Sequence, residues 1–159
     1  MLWSMAGTKP IAVVTGASRG IGRAIVKASK QVVQPLGWAK PRGFANGILA
    51  EGRLLFVAGQ VGWNAQLPSP KFPKGFAEQF ERALLNVLTV VREAGGRPTD
   101  LVRLTLYVTD KKEYLSAAKQ LGEIWKRHLG RHYPAITLVE VSGLLEDAAK
   151  LEIEATAML

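Results

Sequence analysis

The sequence predicts an α+β fold in which two helices cover one face of a largely antiparallel or mixed β-sheet. Apolar residues repeat at helical spacing over residues 75–94 and at every second position over residues 101–108, which predicts a helix followed by a strand. After residue 31 the elements follow the order β-β-α-β-α-β-β, with no internal repeat. We therefore expect one domain over residues 31–159, preceded by a short βα appendage over residues 1–30.

The composition is that of an ordinary globular protein. Of 159 residues, 48% are apolar and 21% are charged, and no apolar run approaches the roughly 20 residues of a membrane-spanning helix. The absence of cysteine excludes disulfides, thiol catalysis and Cys-ligated metals. We expect a cytoplasmic protein, because a reducing compartment agrees with the lack of disulfides.

The positive charge is concentrated near the N-terminus. Residues 1–42 contain seven basic residues and no acidic one, whereas the remaining 117 residues contain 14 basic and 13 acidic residues. A basic arm can contact nucleic acid or an anionic membrane, but a solvated tail explains the same pattern and is preferred. We expect neither partner, and RNA binding, endoribonuclease activity or a mitochondrial transit peptide are the alternatives for this segment.

The predicted appendage consists of a strand, a glycine-rich turn and the start of a helix. Residues 11–14 are apolar, residues 23–29 suit a helix, and the turn between them contains Gly16, Gly20 and Gly22. The stretch "VVTGASRGIG" resembles the cofactor loop of the short-chain dehydrogenase/reductase family. In such loops, glycines allow the backbone to approach a pyrophosphate at the N-terminus of a helix.

Several departures from that family indicate a fragment rather than a cofactor site. The resemblance covers only residues 10–27, and the first acidic residue, Glu51, comes too late to bind a ribose hydroxyl. Tyr107 and Lys111 have the spacing of the family's catalytic Tyr and Lys, but they fall at a strand end and a helix start. We therefore expect no organic cofactor, and NAD(P)-dependent reduction is a lesser alternative.

The first elements of the body follow a boundary near residues 28–33. The stretch "QPLGWAKPRGFANG" is rich in Gly and Pro and predicts irregular chain. The continuous apolar run Leu54–Ala58 predicts a strand buried on both faces. Three prolines then predict a loop over residues 63–75.

The second half of the body alternates helices and strands. The helix over residues 75–94 is followed by the alternating strand over residues 101–108. Asp110 has the position of an N-cap and opens a second helix. Strands over residues 135–141 and 151–157 complete the domain.

Residues 32–159 resemble the RidA/YjgF family of reactive-intermediate deaminases, whose members are also described as L-PSP endoribonucleases. The resemblance rests on four blocks in the family's order: "LLFVAGQVGW" (54–63), "FAEQFERALLNVLTVVREAGGRPTDLVRLTLYVTDKKEY" (76–114), "YPAITLVEVSGLLE" (133–146) and "LEIEATAML" (151–159). It implies a chorismate-mutase-like subunit, a homotrimer, and small-molecule clefts between neighbouring subunits.

The resemblance also implies which residues line the cleft, and most of them have lost the family's polar groups. Ile136 replaces the Arg that grips the substrate carboxylate in active deaminases. Three further positions are apolar in the same way, with Phe44 in place of a Tyr, Ala58 in place of a Ser and Leu138 in place of a Cys. A helix Asn of the family is likewise replaced by an alanine, Ala118.

Two cleft residues of the family are retained. Gly59 allows close approach of a ligand to the backbone, and Glu152 aligns with the acid that positions water in the family. The alternative for Glu152 is that it only pairs with a neighbouring group. Trp63 either lines the cleft or packs within the trimer.

Four further residues are candidate ligands. His128 and His132 have the spacing of metal ligands, but a glycine breaks the helix between them and there is no third ligand, so we expect no metal. Arg103 and Arg131 are candidates to replace the lost carboxylate clamp, with salt bridges to surface acids as the preferred alternative.

The sequence thus predicts a RidA-like protein with a small-molecule cleft. One function is hydrolysis of a reactive enamine or imine that lacks a carboxylate, with Glu152 as the catalytic residue. The alternative is binding of a metabolite, or a scaffold role, without turnover. The predicted substrate-binding residues are Phe44, Ala58, Gly59, Trp63, Ile136 and Leu138.

Overall fold

The computed structural model describes residues 29–39, 41–64 and 71–159. The predicted appendage, with its glycine turn, lies almost entirely outside the described residues, and so does the middle of the predicted proline loop. The described elements are β1 (Ser29–Val33), β2 (Gly47–Glu51), β3 (Leu54–Val61), α1 (Phe76–Glu93), a 3-10 turn (Pro98–Asp100), β4 (Leu101–Val108), α2 (Lys111–Ser116), α3 (Ala118–Leu129), β5 (Ala135–Glu140) and β6 (Leu151–Met158).

The main sheet is four-stranded and mixed, as predicted. Its strands follow the order β3-β6-β4-β5, with β6 antiparallel to both β3 and β4, and β4 parallel to β5. β1 and β2 form a separate antiparallel hairpin. Ser29 begins this hairpin and does not end the helix predicted over residues 23–29, because its backbone pairs in register with Glu51.

The helices cover one face of the sheet, and the core lies between the two layers. The apolar stripe of α1 faces this core, and six of its side chains are at most 3% exposed: Phe80, Ala83, Leu84, Val87, Leu88 and Val91. The odd-numbered residues of β6 form the facing wall. Burial of each large apolar side chain is worth about 1.5–3 kcal/mol, so this stripe holds α1 against the sheet.

The predicted second helix is divided into two by Ala117. Asp110 caps α2 as predicted, since its Oδ1 accepts hydrogen bonds from the backbone N–H groups of Lys112 (2.7 Å) and Glu113 (3.2 Å). At the other end, the Ser116 hydroxyl donates to the carbonyl of Lys112 at 2.8 Å, a contact that bends helices. None of the helices in the described part of the chain is long and apolar enough to cross a membrane.

The second face of the sheet is open, which corrects the expectation that the run Leu54–Ala58 is buried on both faces. Val57 points to the core and is 4% exposed, but Phe56 is 74% exposed and Leu54 is 55% exposed. The reason is that helices cover only one face of this single chain. Phe56 and Leu54 therefore lie on a face of the sheet that no described helix covers.

An ion pair ties the hairpin to the rest of the domain. Lys30 Nζ lies 2.7 Å from Asp100 Oδ1 and also donates to the carbonyl of Thr99 at 2.9 Å. Asp100 is almost buried and accepts a second hydrogen bond from the backbone N–H of Arg97. Burial alone would raise the pKa of Asp100, but these hydrogen bonds outweigh it and lower the pKa.

Candidate functional site

A cavity of about 400 Å³ lies between β5 and the helices α2 and α3, and we call it the β5 cavity. Three predicted substrate-binding residues, Phe44, Ile136 and Leu138, line it together. Ile136 and Leu138 are alternate residues of β5 on its helix-facing side, where they pack against the core. Ala118, from the first turn of α3, lines the same space.

Aromatic rings form much of the remaining wall of the β5 cavity. The Trp125 ring stacks on Tyr133 with centroids 6.0 Å apart and an interplanar angle of 2°. Trp125 Nε1 donates to the carbonyl of His132 at 3.0 Å, which satisfies its only donor. Tyr114 also lines the cavity, and its ring meets Phe76 edge to face at 6.2 Å. These contacts hold the rings in place and pre-form an apolar pocket.

The β5 cavity has one cationic side chain, Arg42, among the residues that line it. No carboxylate lines the cavity, and within the described chain Arg42 has no ion-pair partner. Arg131 lines an adjoining groove instead, beside Lys30 and Trp38. Arg42 was not predicted as a site residue, because it lies in an irregular segment where residue spacing does not show which side chains face a cavity.

Glu152 lies on the opposite face of the sheet from the β5 cavity. Its neighbours Leu151 and Ile153 are buried in the core, so Glu152 points to the open face by strand alternation. Gly59 lies against its carboxylate: a Cβ at position 59 would overlap the carboxylate oxygen. The ladder between β3 and β6 shifts register between Val57 and Gln60, which places Gly59 in this irregular stretch.

Ala58 lines a second hollow of about 430 Å³ on the open face. Arg103 and Glu154 lie beside it, with Arg103 Nη2 4.0 Å from Glu154 Oε1, so Arg103 is on the other side of the sheet from Ile136. Thr105 also lines this hollow, and its buried hydroxyl is without a hydrogen-bond partner in the described part of the chain. A buried hydroxyl without a partner is costly, so the single chain leaves this face incomplete.

Trp63 is not among the residues that line either space. Its ring packs against Phe72 with centroids 5.9 Å apart. The Asn86 amide, on α1, donates to the carbonyls of Val61 (3.1 Å) and Trp63 (3.0 Å) and so fixes the end of β3. A role for Trp63 in ligand binding stays a prediction.

The two histidines have separate structural partners. His128 Nε2 lies 2.7 Å from Glu81 Oε1, and Arg127 Nη1 lies 2.8 Å from the same oxygen. The hydrogen bond from His128 is the main cause that lowers the pKa of Glu81. His132 Nε2 lies 2.7 Å from the carbonyl of Leu101. Over residues 29–39, 41–64 and 71–159, no group of three or more His, Asp or Glu side chains could hold a metal ion.

Comparisons with known proteins place these features in a family. The chain matches the Endoribonuclease L-PSP family over residues 40–159. It is 30% identical over 130 residues to a RutC family protein of Pyrococcus abyssi, which covers 81% of this chain and 97% of the relative. The crystal structure of YyfB, a Rid family protein from Yersinia pestis, has a TM-score of 0.71 at 32% identity and covers 82% of this chain and 98% of YyfB.

A third relative is TdcF of Escherichia coli, whose name marks it as a candidate reactive intermediate deaminase. It is 30% identical over 110 residues, which cover 67% of this chain and 80% of TdcF. A crystal structure of TdcF with bound serine has a TM-score of 0.58 at 29% identity and covers 77% of this chain and 91% of that chain. On its fold and on these matches, the chain belongs to the Endoribonuclease L-PSP family, the family of RidA and YjgF that its sequence resembles.

Proposed function

We propose that this protein hydrolyses a reactive imine or enamine in a cleft formed between neighbouring copies of the chain. One observation supports this above the others: the predicted site residues fall into two groups on opposite faces of one sheet. Phe44, Ile136 and Leu138 lie on the helix side, whereas Gly59 and Glu152 lie on the open side. A second copy that brings its open face to the β5 cavity would join the two groups.

Two features of the open face support such an assembly. Phe56 and Leu54 are exposed apolar residues on a face that no described element of the same chain covers. The Thr105 hydroxyl has no partner in the described chain, so a neighbouring copy is a source for its missing hydrogen bond. The proposed assembly is the homotrimer that the resemblance to the family implies.

The proposed chemistry needs one carboxylate and one water. Glu152 takes a proton from a water molecule as the water oxygen adds to the imine carbon, and the imine nitrogen gains a proton, which gives a carbinolamine. The C–N bond then breaks as the nitrogen gains a second proton and the hydroxyl loses its proton, and a carbonyl compound and ammonia leave. An enamine substrate first takes a proton on carbon to become the imine. Hydrogen, oxygen and nitrogen balance with one water consumed and one ammonia released.

The apolar cavity indicates the kind of substrate. Ile136 cannot bind a carboxylate, so a substrate carboxylate would need an anchor outside β5. The rings and aliphatic side chains around Ile136 favour an imine with a sizeable apolar body. The same replacements favour a second function, binding of an apolar metabolite without turnover. That alternative keeps the β5 cavity and removes any catalytic role for Glu152.

A trapping assay tests hydrolysis. An L-amino-acid oxidase supplied with leucine produces 2-imino-4-methylpentanoate, and semicarbazide traps the fraction that has not yet hydrolysed. Threonine dehydratase supplies a smaller imine for comparison. We expect the protein to lower semicarbazone formation from the leucine imine, and Glu152→Gln to abolish this effect while remaining folded. If 4-methyl-2-oxopentanoate and ammonia form no faster with the protein than without it, hydrolysis is rejected and binding without turnover is favoured.

A further inference from the structure

The β5 cavity combines an apolar body with one isolated positive charge. Arg42 lies in the loop that leads into Phe44; it is an exposed residue and lines the cavity. The other described side chains that line the cavity are uncharged. Within the described part of one copy, an anion that enters the cavity therefore meets one cation and no carboxylate.

The cavity also holds two phenols whose hydroxyl groups are free to bind a ligand. Tyr114 and Tyr133 both line the space, and in the described part of the chain neither phenol hydroxyl makes a hydrogen bond. Both rings are held by aromatic neighbours, Phe76 and Trp125 respectively. Among the described side chains, the polar groups that remain for a ligand are one guanidinium and two hydroxyls.

We propose that the β5 cavity binds a monocarboxylate with an apolar body, and that Arg42 grips the carboxylate. The planar guanidinium offers paired N–H donors that match the two carboxylate oxygens. The apolar body then lies against Ile136 and Leu138. This inference rests on the proposed function, because it names the ligand class of the same site: the carboxylate anchor, absent from β5, is supplied by the loop before Phe44.

The neighbouring arginines do not offer the same geometry. Arg131 lines the adjoining groove, on the far side of a wall that includes Phe44 and Tyr133. Arg103 lies on the open face near Glu154. Arg131 is therefore a matched control for Arg42, since both are exposed and neither has an ion-pair partner in the described chain.

Isothermal titration of the full chain tests the proposal. The probe is 4-methyl-2-oxopentanoate, and its neutral counterpart is 4-methylpentan-2-one, which has a methyl group in place of the carboxylate. We expect the acid to bind more tightly than the ketone, and we expect the affinity for the acid to fall as salt is added. Arg42→Ala should weaken binding of the acid about tenfold and leave binding of the ketone unchanged. A tenfold loss is the low end for a hydrogen bond to a charged group, because Arg42 is exposed. The Arg131→Ala protein should bind both compounds with affinities within about twofold of the parent protein, because Arg131 is an exposed residue that does not line the cavity.

Three results would overturn the proposal: no saturable binding of the acid, equal binding of acid and ketone, or an Arg42→Ala protein that binds the acid as the parent does. The trapping assay separates this failure from failure of the proposed function. If the acid binds through Arg42 but the leucine imine is not hydrolysed, only hydrolysis is lost. If the imine is hydrolysed and Arg42→Ala does not change binding of the acid, only the proposed role of Arg42 is rejected.

Discussion

Gly59 and the carboxylate of Glu152 occupy adjoining space on the open face of the sheet, so that a Cβ at position 59 would overlap a carboxylate oxygen. Because glycine has no side chain, the Glu152 carboxylate can occupy the space beside position 59. The overlap involves the flexible end of a side chain and no backbone atom. A larger residue at position 59 should move the carboxylate without disrupting the sheet.

Gly59→Ala is expected to reduce imine hydrolysis at least tenfold, about 1.4 kcal/mol of transition-state stabilisation, because the Glu152 carboxylate must leave the place where it activates water. The melting temperature should change by only a few degrees. Trapping assays and thermal unfolding measure the two effects. Gly143→Ala is the control, since nothing lies near a Cβ at that position. Full activity of Gly59→Ala would show that the observed place of the carboxylate is not the working one.

Phe56→Asp is expected to break the proposed assembly while the single chain still folds. Phe56 is 74% exposed in the single chain, so its replacement costs little there, but a neighbouring copy that covers it would bury an unpaired charge. Loss of the buried ring alone should weaken the contact about tenfold or more. Native mass spectrometry should detect monomers.

Leu115→Asp provides the matched control for the assembly. Leu115 is 60% exposed on α2, in the helical layer, and its replacement should leave the oligomer intact. The assembly through the open face would be refuted if both variants kept the mass of the parent oligomer. Loss of the oligomer in both variants would point to general destabilisation, which circular dichroism would then detect.

Asp100→Asn is expected to lower the free energy of unfolding by about 1–3 kcal/mol at pH 7, because it removes the charge that Lys30 and the Arg97 N–H bind. The pKa of Asp100 is lowered in the folded state, so its contribution is complete above the unfolded pKa near 3.8. The contribution disappears as pH falls through the lower folded pKa.

Urea unfolding at pH 7, 5, 4 and 3 measures this dependence. The difference between the parent and Asp100→Asn should be constant from pH 7 to 5 and shrink below pH 4. Asp147→Asn is the control, since Asp147 is exposed and has no ion-pair partner in the described chain. A difference that persists undiminished at pH 3 would exclude the charge as its source.

The sequence patterns predicted those parts of the fold that depend on local order. Alternation over residues 101–108 and helical spacing over residues 75–94 reflect one-sided burial, and both elements form where they were expected. The break at Ala117 was not predicted, because no Gly or Pro stands there to indicate the end of a helix. The exposure of Phe56 was not predictable either, because an apolar run has the same pattern whether its own chain or another covers it.

The site was predictable as a set of residues but not as an arrangement. Aligned positions identified Ile136 and Leu138, whereas only the fold shows that they lie on the opposite side of the sheet from Glu152. Arg42 was not predicted because the chain around it is irregular. In an irregular segment, residue spacing does not indicate which side chains share a face. Only the fold shows that Arg42 lines the same cavity as Ile136 and Leu138.

Ile136→Arg is expected to restore a carboxylate clamp on β5 and to change substrate preference. A guanidinium at this position can bind the carboxylate of a small imine, so hydrolysis of the imine from threonine dehydratase should rise about tenfold. Hydrolysis of the leucine imine should fall, because the longer side chain fills part of a 400 Å³ cavity. Trapping assays with both imines give the ratio of the two hydrolysis rates for each variant. Ile136→Met fills similar space without charge, and an equal ratio for the two variants would mean that the carboxylate is not bound from β5.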